Sequence, residues 1–253
     1  MNPNDRQWAA EEACINGFPA LRQVLVGGWL LRSSGSTRRT ANSATPLPYR
    51  QAEPDAVIAG CEALYRRHGR PAIFRIPSYL DPDFERRLAA LGYTAEGHSR
   101  VIRGGIAAIM AADPAGVRLS PQPTPEWLAA IAKLQQQTPE QHAVYRRVVG
   151  SIMLPAAFAT AEDDGDVVAM AFGVIHRGLL CYESVVTDTA RRRRGHARRV
   201  LAALARWARA EGAIGACLQV EADNAAGHAL YDAVGMTEEL HRYCYRRQPP
   251  AVA

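Results

Sequence analysis

Two stretches of this chain agree with each other at a fixed distance along the sequence, and this repeat limits the fold more than any other feature. Gly92–His98 and Gly235–His241 carry the same residue at alternate positions, and they lie 143 positions apart. Because glycine commonly ends a helix, glycines that match at this offset indicate helices that end at matching points, and we predict a duplicated fold. The same offset, without a gap, pairs Val57 with Val200, Ala59 with Ala202, Arg66 with Arg209, Gly69 with Gly212 and Arg103 with Arg246.

The second copy has the pattern of a helix, a strand, a second helix and a final strand. Apolar residues recur over 197–208 at the three- and four-residue spacing of a helix, and Gly212 ends it. Alternating apolar residues predict a strand over Ala216–Ala222, after which Asp223 or Asn224 caps the next helix. The predicted inward face of that helix is Ala226, Leu230, Ala233 and Val234, before Gly235 closes it.

The first copy repeats this order with weaker signals. A helix is predicted over Val57–His68, a short strand over Ala72–Ile76, and a second helix from Asp81 and Pro82 onward. This second helix is predicted to turn Phe84, Leu88 and Leu91 inward. Both copies are thus predicted to contain helices and strands in the same order.

The second half carries further elements before its copy begins. Helices are predicted over 125–136 and 139–152, each after a capping threonine, and strands over 156–161, 167–176 and 179–187. The stretch Arg103–Pro125 has four prolines and is predicted to be a linker. We therefore predict two domains, 1–104 and 105–253.

Composition excludes several classes of protein and leaves others open. The chain is 48% hydrophobic, yet it has no run of about 18 apolar residues, so we expect a cytoplasmic protein without membrane contact. The charge of +5 is modest and the sequence has no basic stripe interleaved with aromatic residues, so nucleic acid is not the expected partner. A monomer or a homodimer is expected.

The five cysteines are not arranged in any spacing typical of a zinc site. Their number is odd, and Cys181 and Cys217 lie in apolar strands, where a lone cysteine is usually a small buried hydrophobe. We predict no metal, no disulfide and no catalytic role for them.

The loop after the strand that ends at Thr187 is rich in arginine and small residues. It reads Arg192-Arg-Arg-Gly195-His-Ala197 and leads into the long helix. Small residues let backbone N–H groups approach a pyrophosphate, and the helix N-terminus adds partial positive charge. A solvated basic loop or a nucleic-acid patch has a similar composition. In order and context, however, the loop resembles the signature of the GNAT superfamily: Arg or Gln, two residues, Gly, one residue, then Gly or Ala.

A second segment strengthens this resemblance. Asn224 follows Gly195 by 29 residues and opens Asn224-Ala-Ala-Gly-His-Ala-Leu230-Tyr231-Asp-Ala-Val-Gly235-Met236. This is similar to the second GNAT signature, in which Asn, then Leu-Tyr, then Gly-Phe mark the helix on the coenzyme side. The chain therefore resembles a tandem GNAT N-acetyltransferase with a degenerate N-terminal half.

The resemblance implies a fold, a cosubstrate and a set of site residues. It implies a mixed α/β fold of the α+β kind, with two GNAT-like domains that are each a twisted, mainly antiparallel sheet flanked by helices. It also implies acetyl-CoA as cosubstrate without a metal. A backbone N–H of the strand around Ser184–Val186 would polarise the thioester carbonyl. The residues implied to contact the coenzyme are Val185, Val186, Thr187, Arg192, Arg193, Arg194, Gly195, His196, Ala197, Arg198, Asn224 and Tyr231.

Two residues are implied to perform the chemistry. Tyr231 would hydrogen-bond or protonate the departing sulfur, although a tyrosine that only packs on its helix is the alternative. Glu183, on the strand before the loop, would deprotonate the amine, but a salt bridge to an arginine explains this carboxylate equally well. Glu221 and His176 are weaker candidates for the base, and His196 is expected to be exposed on the loop.

The first copy lacks these groups. The offset places Ala52, Pro54 and Leu88 opposite Gly195, Ala197 and Tyr231. Leucine donates no proton and proline has no N–H for a phosphate, so we interpret the first half as non-catalytic. The predicted function is acetyl transfer to an amine of a small molecule or peptide. The alternative is a module that binds acyl-CoA or another anion without catalysis.

Overall fold

The structure is a computed structural model that describes residues 3–35, 38–49 and 51–250. Helices and strands alternate through this part of the chain, which confirms the predicted mixed α/β class. The helices are α1 (Pro3–Gly17), α2 (Pro54–Arg67), α3 (Pro82–Ala90), α4 (Ile106–Ile109), α5 (Pro125–Leu134), α6 (Pro139–Val149), α7 (His196–Ala210) and α8 (Ala225–Ala233). The strands are β1 (Arg22–Val26), β2 (Trp29–Ser33), β3 (Ala44–Pro46), β4 (Ile73–Pro77), β5 (Thr94–Gly105), β6 (Val117–Ser120), β7 (Ala156–Asp163), β8 (Asp166–His176), β9 (Leu179–Thr187), β10 (Gly215–Glu221) and β11 (Glu238–Arg247).

The offset of 143 residues relates the helices and strands of the two copies as well as their residues. It carries α3 onto α8 without a shift at either end, and it carries α2 onto α7, β4 onto β10 and β5 onto β11 to within one or two residues. The matched glycines share a backbone conformation, because Gly92 and Gly235 both have φ +80°. This left-handed conformation costs glycine little, which explains why both copies keep glycine where the helix ends.

Contacts along the chain divide the structure into two compact units. Unit 1 contains the residues up to Pro19, Val101–Val220 and Asn224–Leu240. Unit 2 contains Ala20–Arg100, Glu221–Asp223 and the residues from His241 onward. These units describe contacts and not sequence halves, so the domain ranges 1–104 and 105–253 stay a prediction.

Unit 1 is built on the strand order β6–β7–β8–β9–β10–β5. The pairs from β6 to β9 are antiparallel, whereas β9 and β10 are parallel. Tyr182 of β9 donates a 2.9 Å hydrogen bond to the Leu201 carbonyl of α7. The neighbouring Cys181 has its sulfur 3.7 Å from that of Cys14 in α1. Because successive strand residues face opposite sides, α7 and α1 cover opposite faces of this sheet.

Two helices of unit 1 begin at the threonines that the sequence marks as caps. The Thr124 side chain accepts a hydrogen bond from the Trp127 N–H at the start of α5. At α6, Thr138 and Gln141 form a reciprocal capping box, in which each side chain bonds the other's backbone N–H. A proline at the first position of each helix fixes φ for the helix at a place where its missing N–H costs nothing.

Unit 2 is built on the strand order β1–β2–β3–β4–β11, with a parallel pair between β3 and β4. Its core is aromatic. The rings of Trp29 and Phe84 stack with centroids 4.3 Å apart, and Phe74 contacts both edge to face. Leu88 is fully buried in the same cluster. Burial of these large side chains supplies most of the hydrophobic stabilisation of the unit.

Each unit contains part of the last strand of the other sequence copy. β5 follows from the first copy, but its residues from Val101 to Gly105 lie in unit 1, where β5 neighbours β10. β11 follows from the second copy, and its residues Tyr243–Arg247 pair antiparallel with Ile73–Pro77 of β4 in unit 2. The two copies therefore exchange parts of their last strands.

Two sequence predictions about the fold are wrong. The stretch predicted as a linker contains α4 and β6, because Ile106 and Ile109 turn inward and are buried. Leu91 was predicted to face inward, but it is 40% exposed because α3 ends at Ala90. In addition, α1 and β1–β3 are not predicted, because they are short or lack apolar periodicity.

The helices of the described part are all too short or too polar to cross a membrane.

The place of β5 in unit 1 can be tested with adjacent glycines. A Cβ on Gly104 would lie 2.6 Å from the Gly235 carbonyl oxygen and 2.9 Å from Met236 Cα, whereas a Cβ on Gly105 would have no described atom within 4 Å. We expect Gly104→Ala to lower the free energy of unfolding by about 1–3 kcal/mol. Gly105→Ala should change it by less than ~0.5 kcal/mol. Urea unfolding measures both, and equal effects would contradict this packing.

Candidate active site

The pairing between β9 and β10 of unit 1 stops before either strand does. The parallel register runs from Leu179 with Gly215 to Cys181 with Cys217, and both strands continue beyond that last pair. Ladder hydrogen bonds hold paired strands about 4.8 Å apart. Past Cys181 and Cys217, this restraint no longer joins the two strands.

A β-bulge lies on β9 just past this point. Between Glu183 and Val186, two residues of β9 face a single residue of β8, and Ser184 has φ +54°. The Tyr145 hydroxyl of α6 donates a 3.0 Å hydrogen bond to Ser184 Oγ, which supports the uncommon backbone conformation. A bulge re-aims side chains and backbone groups. This is the stretch expected to polarise the thioester carbonyl, and that role stays a prediction.

The loop between β9 and α7 has the backbone form of an anion site. The Asp188 side chain accepts a 2.9 Å hydrogen bond from the Ala190 N–H, which starts the turn. Arg193 has φ +61° and Gly195 has φ +83°. Gly195 is the N-cap of α7, and no described atom lies within 4 Å of the position that its Cβ would take. Backbone N–H groups in such a turn, at a helix N-terminus, form a concavity that attracts anions.

The loop, the end of β9 and one face of α8 line a cleft of about 590 Å³. The two signature segments therefore meet in space. Asn224 caps α8, since its side chain accepts a 2.9 Å hydrogen bond from the Gly227 N–H. Eleven of the twelve residues predicted to contact the coenzyme are in the lining: Val185, Val186, Thr187, Arg192, Arg193, Gly195, His196, Ala197, Arg198, Asn224 and Tyr231.

The arginines of the loop divide into paired and unpaired groups. Arg191 is held by the acidic β7–β8 turn, with its guanidinium 3.0 Å from Asp163 and 3.4 Å from Asp166. Arg194 lies 3.9 Å from Asp163 and is not among the lining residues, although it was predicted to contact the coenzyme. These two arginines attach the loop to the sheet.

Arg191 also lines the cleft, and three further arginines line it with Arg191. Arg198 donates a 3.1 Å hydrogen bond to the Ala233 carbonyl at the end of α8. Arg192 and Arg193 line the cleft, and neither makes an ion pair within the described ranges. Their two positive charges are therefore available to an anionic ligand.

Tyr231 is the buried centre of α8. Its side chain is 8% exposed, belongs to the core of unit 1 and lines the cleft. Ala226 and Ala233, which were predicted to face inward, are exposed because they border the cleft instead. Burial and, to a smaller extent, the charge of Glu183 raise the pKa of Tyr231 to about 12. The phenol therefore keeps its proton at neutral pH.

Glu183 is half-buried and lies near the cleft without lining it. It follows Cys181 by two residues on β9, so both point to the same face. Its negative charge acts on the Tyr231 hydroxyl, which brings the two predicted catalytic residues into electrostatic contact. The choice between a base and an ion-pair partner stays open.

The weaker candidates for the base have acidic or basic partners. His176 Nε2 lies 3.3 Å from a carboxylate oxygen of Glu12 on α1. In unit 2, Glu221 forms a 3.2 Å ion pair with Arg39. Each of these contacts gives His176 and Glu221 a structural role that needs no catalysis.

The prediction of an exposed His196 is wrong. The residue is 5% exposed, with Nε2 3.7 Å from an Asp163 oxygen and Nδ1 3.5 Å from the Arg199 guanidinium. His196 is the first residue of α7, so its side chain turns under the loop and packs there.

Sequence analysis missed a cluster of three cysteines. The sulfurs of Cys14, Cys181 and Cys217 all lie within 4.8 Å of one another, and all three residues are buried. The interpretation of Cys181 and Cys217 as lone buried cysteines is therefore wrong. The signal was hidden because Cys14 lies on α1, which has no apolar periodicity and is far away in sequence.

Comparison with known proteins gives a consistent family. Residues 7–246 match the family described as "Probable histone acetyltransferase Rv0428c C-terminal". The "Uncharacterized N-acetyltransferase YobR" of Bacillus subtilis (strain 168) is 23% identical over 245 residues, which cover 94% of this chain and 97% of that protein.

Two solved structures share the fold. A GCN5-related N-acetyltransferase from Kribbella flavida has a TM-score of 0.70 at 17% identity, over 99% of this chain and 96% of that one. A tandem GNAT protein from the clavulanic acid biosynthesis pathway has a TM-score of 0.68 at 16% identity, over 96% of this chain and 89% of that one. The second likeness agrees with the duplication predicted from the sequence.

The anion-binding role of the loop can be tested with two glycines that flank α7. Gly195 and Gly212 have φ +83° and +89°, and neither has a described atom within 4 Å of an added Cβ. Both Gly195→Asp and Gly212→Asp impose similar backbone strain, but only the first puts a carboxylate into the loop. We expect Gly195→Asp to weaken acetyl-CoA binding by at least ~100-fold.

Calorimetric titration measures the affinity of both variants. Gly212→Asp should bind like the wild type, which should titrate as one site per chain. Undiminished affinity in Gly195→Asp would remove the anion-binding assignment of the loop.

Proposed function

We propose a function for this chain, which belongs to the GNAT superfamily of N-acetyltransferases and within it to the family of the Rv0428c C-terminal region. It transfers the acetyl group of acetyl-CoA directly to an amine of a small molecule or peptide. The observation that carries the proposal is the cleft of unit 1. An anion-binding loop and a buried, protonated tyrosine line the same space, although the sequence separates them by more than 30 residues.

The residues of the cleft fit a coenzyme with several phosphates. Arg192 and Arg193 offer unpaired positive charge, and Gly195 leaves the loop N–H groups open to close approach. Acetyl-CoA, when bound, supplies an acetyl group activated as a thioester. The pantetheine arm of such a ligand would follow the apolar lining that Ala226, Ala229 and Leu230 of α8 provide.

Glu183 is proposed to act as the base. The amine nitrogen forms a bond to the acetyl carbon while the carbon–sulfur bond breaks, and the amine loses one proton. Glu183 takes that proton, directly or through a water molecule. Its position next to the β9 bulge supports this role, because the bulge redirects β9 at a point where the pairing of β9 with β10 has already ended.

Tyr231 is proposed to stabilise the departing sulfur. Its pKa of about 12 lies above the ordinary thiol value of about 8.5, so complete proton transfer from the phenol to a thiolate is uphill. The hydroxyl therefore acts mainly as a buried hydrogen-bond donor to the charge that develops on sulfur. Such donors stabilise a transition state strongly in a site that excludes water.

We propose that the first half holds no coenzyme. Leu88 stands opposite Tyr231 and is fully buried in the aromatic core of unit 2, so no donor reaches that place. Pro54, opposite Ala197, is the first residue of α2 and has no N–H.

An amine panel tests the proposed function. Purified protein is incubated with acetyl-CoA and amino acids, polyamines, aminoglycosides or peptides, and free thiol is measured together with the mass of the acceptor. A mass gain of one acetyl group that matches thiol release supports direct transfer. Tight coenzyme binding with no thiol release over the whole panel would favour the alternative, a module that binds acyl-CoA without catalysis.

Two tyrosines allow a matched test of the chemistry. Tyr231→Phe removes only the hydroxyl, and we expect turnover at saturating acetyl-CoA to fall by about 10²–10³-fold with little change in coenzyme affinity. Tyr182→Phe removes the neighbouring hydroxyl, which bonds the Leu201 carbonyl outside the cleft lining. This control should lower stability by about 1 kcal/mol and leave turnover within about threefold. A similarly small effect of Tyr231→Phe would make Tyr231 a packing residue.

A further inference from the structure

The cluster formed by Cys14, Cys181 and Cys217, called the thiol cluster below, has no part in the proposed transfer. Its sulfurs lie within 4.8 Å of one another, and those of Cys14 and Cys181 are 3.7 Å apart. Two thiolates bound to one zinc ion at about 2.3 Å in a tetrahedral arrangement have sulfurs about 3.8 Å apart. The cluster is therefore already close to the spacing of a metal-bound set.

Three elements hold the thiol cluster in place. Cys181 and Cys217 are opposite each other in the register of β9 and β10, so the sheet fixes two of the ligands. α1 supplies the third, and its last residue, Gly17, allows the close approach, because a Cβ there would lie 3.3 Å from Cys181 Sγ. Ligands held by separate rigid elements lose little entropy when they bind a metal.

We propose that Cys14, Cys181 and Cys217 bind one thiophilic cation of the Zn²⁺ class. Three sulfur ligands select soft or borderline metals over Mg²⁺ and Ca²⁺, which prefer oxygen. A divalent ion with three thiolates leaves a single negative charge, and its fourth position is open to a water or another ligand. The ion would tie α1 to β9 and β10 at the end of their ladder. This proposal does not depend on the acetyl transfer proposed above.

The test measures metal in the full chain under reducing conditions. Protein refolded with equimolar Zn²⁺ and then dialysed should retain about one zinc per chain by elemental mass spectrometry. Co²⁺ used as a probe in place of zinc should give the thiolate charge-transfer and intense visible bands of tetrahedral sulfur coordination. Cys14→Ala and Cys217→Ala should each abolish these bands. Cys61→Ala, a buried cysteine of unit 2, should keep them.

Several results would overturn the proposal. The first is wild-type protein that has neither bound zinc nor cobalt bands, and the second is metal retained by both cluster variants. The third is a Cys14–Cys181 disulfide that persists in reducing buffer and excludes the ion. Circular dichroism checks that the variants fold, and Cys14→Ser replaces any that does not. The assay needs no acetyl-CoA, so failure of the metal site and failure of the acetyl transfer are separate outcomes.

Discussion

The end of hydrogen bonding between β9 and β10 is the constraint on which the rest of unit 1 depends. The last register pair, Cys181 with Cys217, is followed by a bulge at Ser184 rather than by further pairing. Past that pair, the end of β9 lines the cleft together with the loop and one face of α8. On the α1 side, the same last pair supplies two of the three clustered sulfurs. The cleft and the sulfur cluster therefore both lie next to the end of this ladder.

Burial then sets the chemical character of each group near the cleft. Tyr231 loses solvent and lies in the field of Glu183, and both effects oppose ionisation of its hydroxyl. The arginines show the converse arrangement. Arg191 forms ion pairs with the acidic turn that holds the loop. Arg192 and Arg193 line the cleft without an ion-pair partner in the described part of the chain. The acidic turn therefore attaches the loop to the sheet, and the loop keeps unpaired positive charge at the cleft.

Local patterns in the sequence predict the elements of this site better than its contacts. The offset of 143 residues and the apolar spacing predict α7 and α8 closely, since helix periodicity and a closing glycine are local features. The bulge at Ser184 has no such signal, because a register shift depends on the neighbouring strand. The cysteine cluster joins residues 167 positions apart, which no spacing rule covers. Likewise, the burial of His196 depends on Asp163 and Arg199, which a linear motif does not include.

The two copies use the same place in the fold differently. Unit 2 fills its core with Trp29, Phe74 and Phe84, and Leu88 packs against these rings at the position that corresponds to Tyr231. Unit 1 contains the end of β5 from the first copy, which neighbours β10, and Gly104 packs against the turn that closes α8. A chain that lost its first copy would lose the strand next to β10 and the contact of Gly104 with this turn. The second copy therefore depends on residues that the first copy supplies.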